Sequence, residues 1–264
     1  MTEPVMVVLS GGQDSTTCAF WAKHVLKATE IHAVTFEYGQ LHTAELEAAQ
    51  FVADAVDATT YEVVKMGPIL RGSSPLVSHS EKLEQYEDYK ALPGGLEKTF
   101  VPARNALFLT LAANRAYCLG IHNLITGVCE EDSGGYPDCR QTFIDSMAET
   151  LALAHDFDFS IYTPLMDMTK AQSVDLALTI PGCYEALARS HTSYDGAYPP
   201  VGKDHATLLR EKGFVEANVP DPLVVRAWLE GLIELPVTGP YNILKGVEPT
   251  AFTVSELCEM VGAQ

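Results

Sequence analysis

The sequence predicts an α/β fold: a Rossmann-like parallel sheet flanked by helices, followed by a smaller C-terminal subdomain of helix and loop. Apolar, β-branched runs alternate with segments of helical periodicity through the first two thirds of the 264 residues. This alternation favours parallel strands joined by right-handed helical crossovers. A turn with two adjacent glycines directly follows the first apolar run, at the strand end where such sheets bind ligands.

The first half of the chain contains alternating predicted strands and helices. Short β-branched runs favour strands, whereas apolar residues three and four apart favour helices. In chain order we predict a strand over 6–9, a helix over 14–26, a strand over 32–38, a helix over 44–56 and a strand over 61–66. Residues 71–98 are polar and contain prolines and a glycine pair, which predicts a long surface insertion of the kind that often forms a lid.

The pattern becomes less regular towards the C-terminus. A helix is predicted to begin at Lys170, and proline is frequent between residues 181 and 222. The other predicted elements are a helix over 104–120, a strand over 123–128, and helices over 141–154, 206–212, 226–235 and 253–261. We therefore predict a main domain over residues 1–180 and a dependent C-terminal subdomain over residues 181–264.

The composition limits the class of partner. The 35 acidic residues outnumber the 17 lysines and arginines, giving a formal net charge of −18, which argues against coating a nucleic acid or an anionic membrane. No basic segment with an apolar core opens the chain and no 18-residue apolar run occurs, so we expect a cytoplasmic protein. The six cysteines never form a C-x-x-C pair, which fits reduced thiols better than disulfides or a zinc knuckle.

The stretch SGGQDS, residues 10–15, is suited to an anion. Its glycines permit a tight turn that brings backbone N–H groups and a helix N-terminus to one point, and Ser10, Ser15 and Thr16 add hydroxyl donors. It is not a Walker A loop, because no Lys-Ser or Lys-Thr follows at the required spacing. Asp14 would repel phosphate by itself, which predicts either a helix N-cap or a Mg²⁺ ligand. The alternative is a plain glycine turn capped by Asp14.

Further stretches carry a family resemblance. S-G-G-x-D-S after a first strand resembles the pyrophosphate loop of the ATP pyrophosphatase, or PP-loop, superfamily. Four more stretches resemble the QueC family of 7-cyano-7-deazaguanine synthases in queuosine biosynthesis: FEYGQLHTAELEAA (36–49), TFVPARNALFLTLAA (99–113), TGVCEEDSGGYPDCRQTFI (126–144) and TPLMDMTKAQ (163–172). The resemblance runs in order through residues 5–215, and this many separate motifs make chance similarity improbable.

The resemblance implies a fold and a reaction. The fold would be adenine nucleotide alpha hydrolase-like, with residues 1–180 as the ATP-binding domain. QueC enzymes activate the carboxylate of 7-carboxy-7-deazaguanine with ATP, release pyrophosphate, capture ammonia as an amide with loss of AMP, and use a second ATP to form the nitrile. The implied cofactors are ATP and Mg²⁺, the latter on Asp14, and the implied assembly is a homodimer.

The resemblance also assigns site residues. Asp14, Arg104 and Lys170 are the expected catalytic residues. ATP would be held by Ser10, Gly11, Gly12, Gln13, Asp14, Ser15, Thr16 and Phe36, and the deazaguanine by Tyr38, Gln40, Asp132, Tyr136, Asp138 and Arg140.

Several of these residues have a plainer alternative. Arg104 can clamp phosphate or the substrate carboxylate, or form a surface ion pair. Lys170 opens a helix, where a cation opposes the helix dipole, which predicts an anionic partner. Tyr136 can stack on the base while Asp132 or Asp138 accepts its N–H groups, but Asp138 can equally cap a helix.

Four other residues have two interpretations each. Cys129 and Cys139 resemble family positions, as nucleophiles or simply as buried small residues. His42 and Glu45 lie three apart on one helix face, where they can bind a ligand or form a local pair.

The chain departs from the family at the positions of its structural zinc. QueC proteins supply four cysteines there, and aligning the stretches TSYDG (192–196) and VGKDHATLLR (201–210) puts Ser193, Val201, Asp204 and Thr207 at those positions. We therefore predict no structural zinc, with the segment 221–264 as the replacement for its stabilisation. Ala103, Leu41 and Asp167 are smaller departures, where the family usually has glycine, a basic residue and an aromatic residue.

The departures leave three functions open. The first is QueC-type synthesis of the amide and the nitrile. The second is transfer of the activated deazaguanine acyl group to an amine of a protein partner, the route attributed to QueC-like proteins of antiphage defence operons. The third is a catalytically silent nucleotide-binding module, against which the retained SGGQDS, Arg104 and Lys170 speak.

Overall fold

A five-stranded parallel sheet forms the centre of the molecule. The computed structural model describes residues 3–40, 44–78, 80–92, 95–130, 135–200, 202–237 and 239–263. The strands are β1 (Val5–Val8), β2 (Ile31–Glu37), β3 (Thr60–Lys65), β4 (Asn123–Ile125) and β5 (Ser160–Tyr162). They lie in the order β3-β2-β1-β4-β5, all parallel, which confirms the predicted fold class. The order reverses at β1, so the ligand crevice belongs beyond the carboxyl ends of β1 and β4.

Helices connect and cover the strands. They are α1 (Gln13–His24), α2 (Ala44–Ala55), α3 (Arg104–Leu119), α4 (Gln141–His155), α5 (Lys170–Thr179), α6 (Cys183–Ala186), α7 (His205–Glu216), α8 (Pro222–Leu229) and α9 (Val254–Val261). Short 3₁₀ turns span Tyr89–Ala91, Pro137–Cys139, Leu187–Arg189, Gly239–Leu244 and Pro249–Ala251. Among the described helices, none is both long and apolar enough to cross a lipid bilayer.

The predicted elements of the first half agree closely with the structure, and the differences lie further on. The edge strand β5 was not predicted. The helix predicted over 226–235 instead begins at Pro222, because Asp221 accepts the Leu223 N–H at 2.9 Å and proline suits the first helical position. The helix predicted over 206–212 is longer, since Asp204 caps α7 by accepting from the Ala206 and Thr207 N–H groups.

The sheet has an apolar core on each face. Alternate residues of β1 face opposite sides: Val5 and Val7 pack with α1, α2 and α5, whereas Met6 packs with α3 and α4. The buried residues past 180 join the first of these clusters, as Tyr184 and Phe214 show. The two predicted domains therefore share one core, and their division at residue 180 stays a prediction.

Helix α7 lies directly against the start of α5. A methyl group added at Gly213 would come within 2.8 Å of the Lys170 Cβ atom and 3.2 Å of its carbonyl carbon. Only a residue without a side chain permits this separation. The C-terminal part of the chain thus contacts the backbone of a predicted catalytic residue.

Candidate active site

A cavity of about 300 Å³ opens beyond the carboxyl ends of β1 and β4. Its walls come from the loop after β1, the end of β2, the starts of α3 and α5, the loop after β4, and residues 191–210. Most of the predicted site residues line it: Ser10, Gly12, Gln13, Asp14, Ser15, Phe36, Tyr38, Gln40, Arg104, Tyr136 and Lys170. The parallel topology brings these residues together from five distant stretches of sequence.

The loop after β1 is held by its own hydroxyl groups. The Ser10 N–H donates to the Ser15 Oγ at 3.2 Å, and the two Oγ atoms lie 3.1 Å apart. Gly12 is the N-cap of α1 and no side chain caps this helix end. The N–H groups of the first turn are therefore available to a ligand, and Asp14 does not serve as the cap.

Asp14 and Lys170 form an ion pair in the cavity wall. The Lys170 Nζ donates to the Asp14 Oδ2 at 2.5 Å, and the two side chains are 27% and 11% exposed for Asp14 and Lys170. Within the described ranges, the buried Asp14 Oδ1 and Thr16 Oγ1 atoms have no hydrogen-bond partner. Buried polar atoms are usually satisfied, so the Oδ1 atom of Asp14, a residue of the cavity wall, marks a position that a ligand would complete.

The loop after β4 touches the start of α1. A methyl group added at Gly127 would lie 2.9 Å from the Ser15 nitrogen and 3.0 Å from the Asp14 carbonyl carbon. A side chain at this position would displace the loop after β1. The close contact fixes the two sides of the crevice relative to each other.

Arg104 begins α3 and its guanidinium enters the cavity. It hydrogen-bonds to the Tyr38 hydroxyl, and no carboxylate of the described residues lies within 4.0 Å of it. The preceding residue, Ala103, has a φ of 59°, a left-handed conformation that explains why glycine is usual in the family. An arginine without a carboxylate partner in a cavity is suited to an anionic ligand.

Aromatic rings form the wall beside Arg104. Phe36 stacks on Phe108 with ring centroids 4.4 Å apart. The Tyr136 hydroxyl lies 2.5 Å from the Thr99 Oγ1, and Tyr136 and Tyr194 both line this part of the cavity. These planar groups offer stacking surface for a base and are fixed in place by their own contacts.

Some predicted residues do not line the cavity. The Asp138 Oδ2 accepts the Asn105 N–H at 3.2 Å, so this side chain has the capping role that the sequence left open. Arg140 is exposed at the N-cap of α4. Gly11 and Thr16 lie behind the lining residues, and Asp132, like Leu41 and His42, lies outside the described residues.

The two cysteines with family counterparts both line the cavity. Burial raises the pKa of Cys139 to about 12, with a further contribution from Asp138, so its thiol stays protonated at neutral pH. The Cys129 Sγ donates to the Met168 carbonyl oxygen at 3.1 Å. A protonated thiol is a weak nucleophile, which favours the interpretation of Cys139 as a buried small residue.

Other lining residues were not assigned a role from the sequence. Glu45, at the start of α2, lines the cavity near Arg104; burial raises its pKa from 4.5 to about 7, and Arg104 opposes the rise. Tyr194 and His205 come from the C-terminal segment. Nothing in the local sequence marks these two residues, because they reach the cavity only through tertiary packing.

Three of the four positions that the sequence predicts as equivalents of the family's zinc ligands lie together. Ser193, Asp204 and Thr207 form a hydrogen-bonded group, and position 201 lies outside the described residues. Two hydroxyls and one carboxylate are a poor set for zinc, which prefers thiolate and imidazole. Across the described part of the chain, no group of three or more His, Cys, Asp and Glu residues is arranged to hold a metal.

The fold and the site together define a PP-loop protein: a Rossmann-like parallel sheet with an S-G-G-x-D-S loop at the end of its first strand. Comparison with known families narrows the class. The profile described as Queuosine biosynthesis protein QueC matches residues 4–218. The chain belongs to the QueC family, which confirms the resemblance found in its motifs.

Similar proteins in the family carry one name, 7-cyano-7-deazaguanine synthase. That of Gloeobacter violaceus is 51% identical over 223 residues, covering 83% of this chain and 94% of the relative. Those of Chromobacterium violaceum and Laribacter hongkongensis are 45% and 41% identical, covering 86% and 85% of this chain and 96% and 95% of theirs.

The solved structures that resemble the chain are far more distant. The U34-tRNA thiolase NcsA from Methanococcus maripaludis with its [4Fe-4S] cluster has 15% identity and a TM-score of 0.42, covering 97% of this chain and 80% of that one. At this distance nothing about the present site follows from the likeness.

Proposed function

We propose that this protein uses ATP to activate the carboxylate of 7-carboxy-7-deazaguanine and joins the activated carbon to ammonia. The name shared by its relatives supports the substrate class. The observation that carries the proposal is the start of α1: an uncapped helix end in the cavity, with Asp14 paired to Lys170 and its buried Oδ1 atom without a described partner. This is the arrangement that a polyphosphate would complete.

The phosphate end of the site belongs to the loop after β1. Its N–H groups and the Ser10 and Ser15 hydroxyls donate to phosphate oxygens, while the Lys170 ammonium faces the same point. These donors stabilise the charge that develops on the departing pyrophosphate. Asp14 fits the demands of Mg²⁺, which takes one or two carboxylates and otherwise phosphate and water oxygens. When bound, Mg²⁺ would neutralise phosphate charge.

The substrate end of the site belongs to Arg104 and the aromatic wall. The guanidinium can hold the acid's carboxylate as a planar fork beside the α-phosphate, and the rings of Phe36 and Tyr136 flank the bases. Holding both reactants in one orientation converts a bimolecular encounter into a local one. Glu45, with a pKa of about 7, can accept the proton that the attacking amine loses.

The chemistry balances at each step. A carboxylate oxygen bonds to the α-phosphorus as the bond to pyrophosphate breaks. The nitrogen of ammonia then bonds to the acyl carbon as the carbon–oxygen bond to AMP breaks, giving the amide and releasing one proton. With a second ATP the amide oxygen bonds to the α-phosphorus as pyrophosphate leaves and the nitrogen loses one proton. The carbon–oxygen bond to AMP then breaks as the nitrogen loses its second proton, which leaves the nitrile.

A pyrophosphate-release assay with the deazaguanine acid, ATP and Mg²⁺ tests the proposal. Asp14→Ala and Lys170→Met should each lower the rate at least about 10³-fold, because transition-state charge loses its stabilisation. Lys23→Met is the matched control: it breaks the Lys23–Asp57 pair, which has a similar 2.6 Å distance but lies away from the cavity, and should leave the rate unchanged. A wild-type rate equal to that of Asp14→Ala would exclude the reaction.

Mass spectrometry of the products distinguishes the acceptors. Amide and nitrile are expected with ammonia, whereas a mass increase on a protein would instead show acyl transfer. The homodimer and the protein acceptor stay predictions.

A further inference from the structure

Asp204 is the centre of a buried hydrogen-bonded group. Asp204 is only 1% exposed. The Oδ2 atom accepts from the Thr207 hydroxyl at 2.8 Å and lies 3.1 Å from the Ser193 Oγ, whose single O–H is shared with the Asp195 Oδ1 at 2.5 Å. The Oδ1 atom accepts from the Ala206 and Thr207 N–H groups at 3.0 and 3.1 Å. One carboxylate therefore joins the chain near residue 193 to the start of α7.

This arrangement disagrees with the family's metal site. The family resemblance predicts zinc ligands at these three positions, but here both Asp204 carboxylate oxygens already accept hydrogen bonds, Oδ2 from hydroxyls and Oδ1 from backbone N–H groups. Hydroxyl groups are not zinc ligands of the usual kind. Ser193, Asp204 and Thr207 nevertheless lie together. We call this group the junction: it joins the same positions by hydrogen bonds in place of metal ligation.

The junction holds residues of the cavity wall. Tyr194 adjoins Ser193 and His205 adjoins Asp204, and both line the cavity. Tyr194 interacts electrostatically with Tyr136, and the His205 Nε2 lies 3.9 Å from the buried Glu97 carboxylate. Displacing the junction would displace these contacts together.

The same segment is bonded to the other walls. The His191 N–H donates to the Gly11 carbonyl oxygen at 2.8 Å, which joins it to the loop after β1. The Tyr86 N–H donates to the Lys203 carbonyl oxygen at 3.0 Å, which joins it to the insertion over residues 71–98. Residues 191–207 thus connect the phosphate loop with the insertion.

We propose that Asp204, with Ser193 and Thr207, replaces the structural metal of the family by a hydrogen-bonded junction that positions Tyr194 and His205 in the cavity wall. Asp204 is a positioning residue: its carboxylate is directed to the hydroxyls and to the start of α7. The proposal adds to the proposed function and concerns how the substrate end of the site is built without zinc.

Local hydrogen–deuterium exchange tests the positioning role without any substrate. Asp204→Ala should speed exchange across residues 191–198 at least about 10-fold, and the milder Ser193→Ala and Thr207→Val should do so to a smaller extent. Thr253→Ala is the control, since it removes a capping side chain from α9, which lies away from the cavity. Equal exchange of residues 191–198 in Asp204→Ala and Thr253→Ala would overturn the proposal.

Kinetics give a second readout. Asp204→Ala should raise the KM for the deazaguanine acid at least about 10-fold and change kcat much less, because the wall is displaced while the phosphate loop remains. Thr253→Ala should leave KM unchanged. An unchanged KM in Asp204→Ala would overturn the positioning role. If the wild type releases no pyrophosphate, the proposed function fails, while the exchange and metal measurements still decide this inference.

Metal analysis tests the replacement directly. The wild type should contain no stoichiometric zinc, and the variant with Ser193→Cys, Val201→Cys, Asp204→Cys and Thr207→Cys should bind one zinc ion per chain and recover slow exchange over residues 191–198. One tightly bound zinc in the wild type would overturn the inference. A four-cysteine variant that binds no zinc, or stays unfolded when zinc is supplied, would show that these positions do not correspond to the family's zinc ligands. That result would also overturn the proposed replacement.

Discussion

The loop after β1 and the segment that follows residue 190 hold opposite sides of the same cavity by different means. The loop is positioned mainly by the regular elements at its two ends, a parallel strand paired on both edges and a helix of the core, with the Ser10 and Ser15 hydroxyls bonded inside it. The segment is positioned by side chains, through Asp204 and through the ion pair of Arg210 with Asp221. A single substitution in the loop should therefore lower the activity, and one in the segment should lower the free energy of unfolding.

The largest expected effect tests whether the stability of the segment after residue 190 depends on one buried ion pair. Arg210 and Asp221 are both buried and form two hydrogen bonds of 2.6 and 2.8 Å, and Arg210 also donates to Ser190 and Thr192. Asp221→Ala leaves a buried charge without its partner and should lower the free energy of unfolding by about 3–5 kcal/mol. Urea denaturation measures the loss.

Glu230→Ala is the matched control for Asp221→Ala. It breaks the Arg226–Glu230 pair, which has a comparable 2.8 Å distance but is exposed, and should change the free energy of unfolding by less than about 1 kcal/mol. Equal losses of unfolding free energy in Asp221→Ala and Glu230→Ala would show that the segment does not depend on its buried pair. The contrast with the loop after β1 would then fail.

The next effect concerns Glu45, on the loop side of the cavity. Its pKa is raised from 4.5 to about 7, chiefly by burial, so the folded protein keeps a proton that the unfolded chain has lost between these pH values. The free energy of unfolding should therefore fall as pH rises from about 4.5 to about 7 and then level off, by at most about 3 kcal/mol at 1.4 kcal/mol per unit. Glu45→Gln should remove this component of the pH dependence.

Urea denaturation at a series of pH values measures the difference. Glu47→Gln, at an exposed position of the same helix, is the control and should retain the wild-type profile. Parallel profiles for wild type and Glu45→Gln would show that burial does not perturb this carboxyl group.

The smallest effect tests the backbone on the loop side. Ala103 has a φ of 59°, where a side chain costs about 1–2 kcal/mol and glycine costs little. Since glycine also gains freedom in the unfolded chain, Ala103→Gly should raise the free energy of unfolding by about 0.5–1 kcal/mol. Ala106→Gly, inside α3, is the control and should lower it by about 1 kcal/mol. Thermal denaturation compares the two variants. A lower free energy of unfolding in both would show that the backbone at Ala103 is not strained.

The contrast between the two regions also explains what could be predicted from the sequence. The strands β1 and β2 are buried, apolar and β-branched, so their pattern predicts them, and parallel topology then places SGGQDS, Arg104 and Lys170 at one end of the sheet. The edge strand β5 was missed because its three residues are not fully buried and form no apolar run.

The missed part of the site depends on contacts distant in sequence. Tyr194 and His205 both line the cavity, and the neighbouring residues Ser193 and Asp204, eleven positions apart, lie in hydrogen-bonding contact. Periodicity reports burial within an element and carries no information about such side-chain bonds. Asp138 was ambiguous for the same reason, since only the structure brings it to the Asn105 N–H group.

Gly213 limits how far the C-terminal segment can diverge. It lies on α7 and does not line the cavity, yet its backbone touches Lys170 so closely that a methyl group would meet the lysine Cβ atom at 2.8 Å. An alanine there would move α5, and with it the ammonium that faces Asp14. If tolerance to substitution were judged only by distance from the loop after β1, position 213 would be classed as tolerant. Its contact with Lys170 instead makes it one of the least replaceable positions in α7.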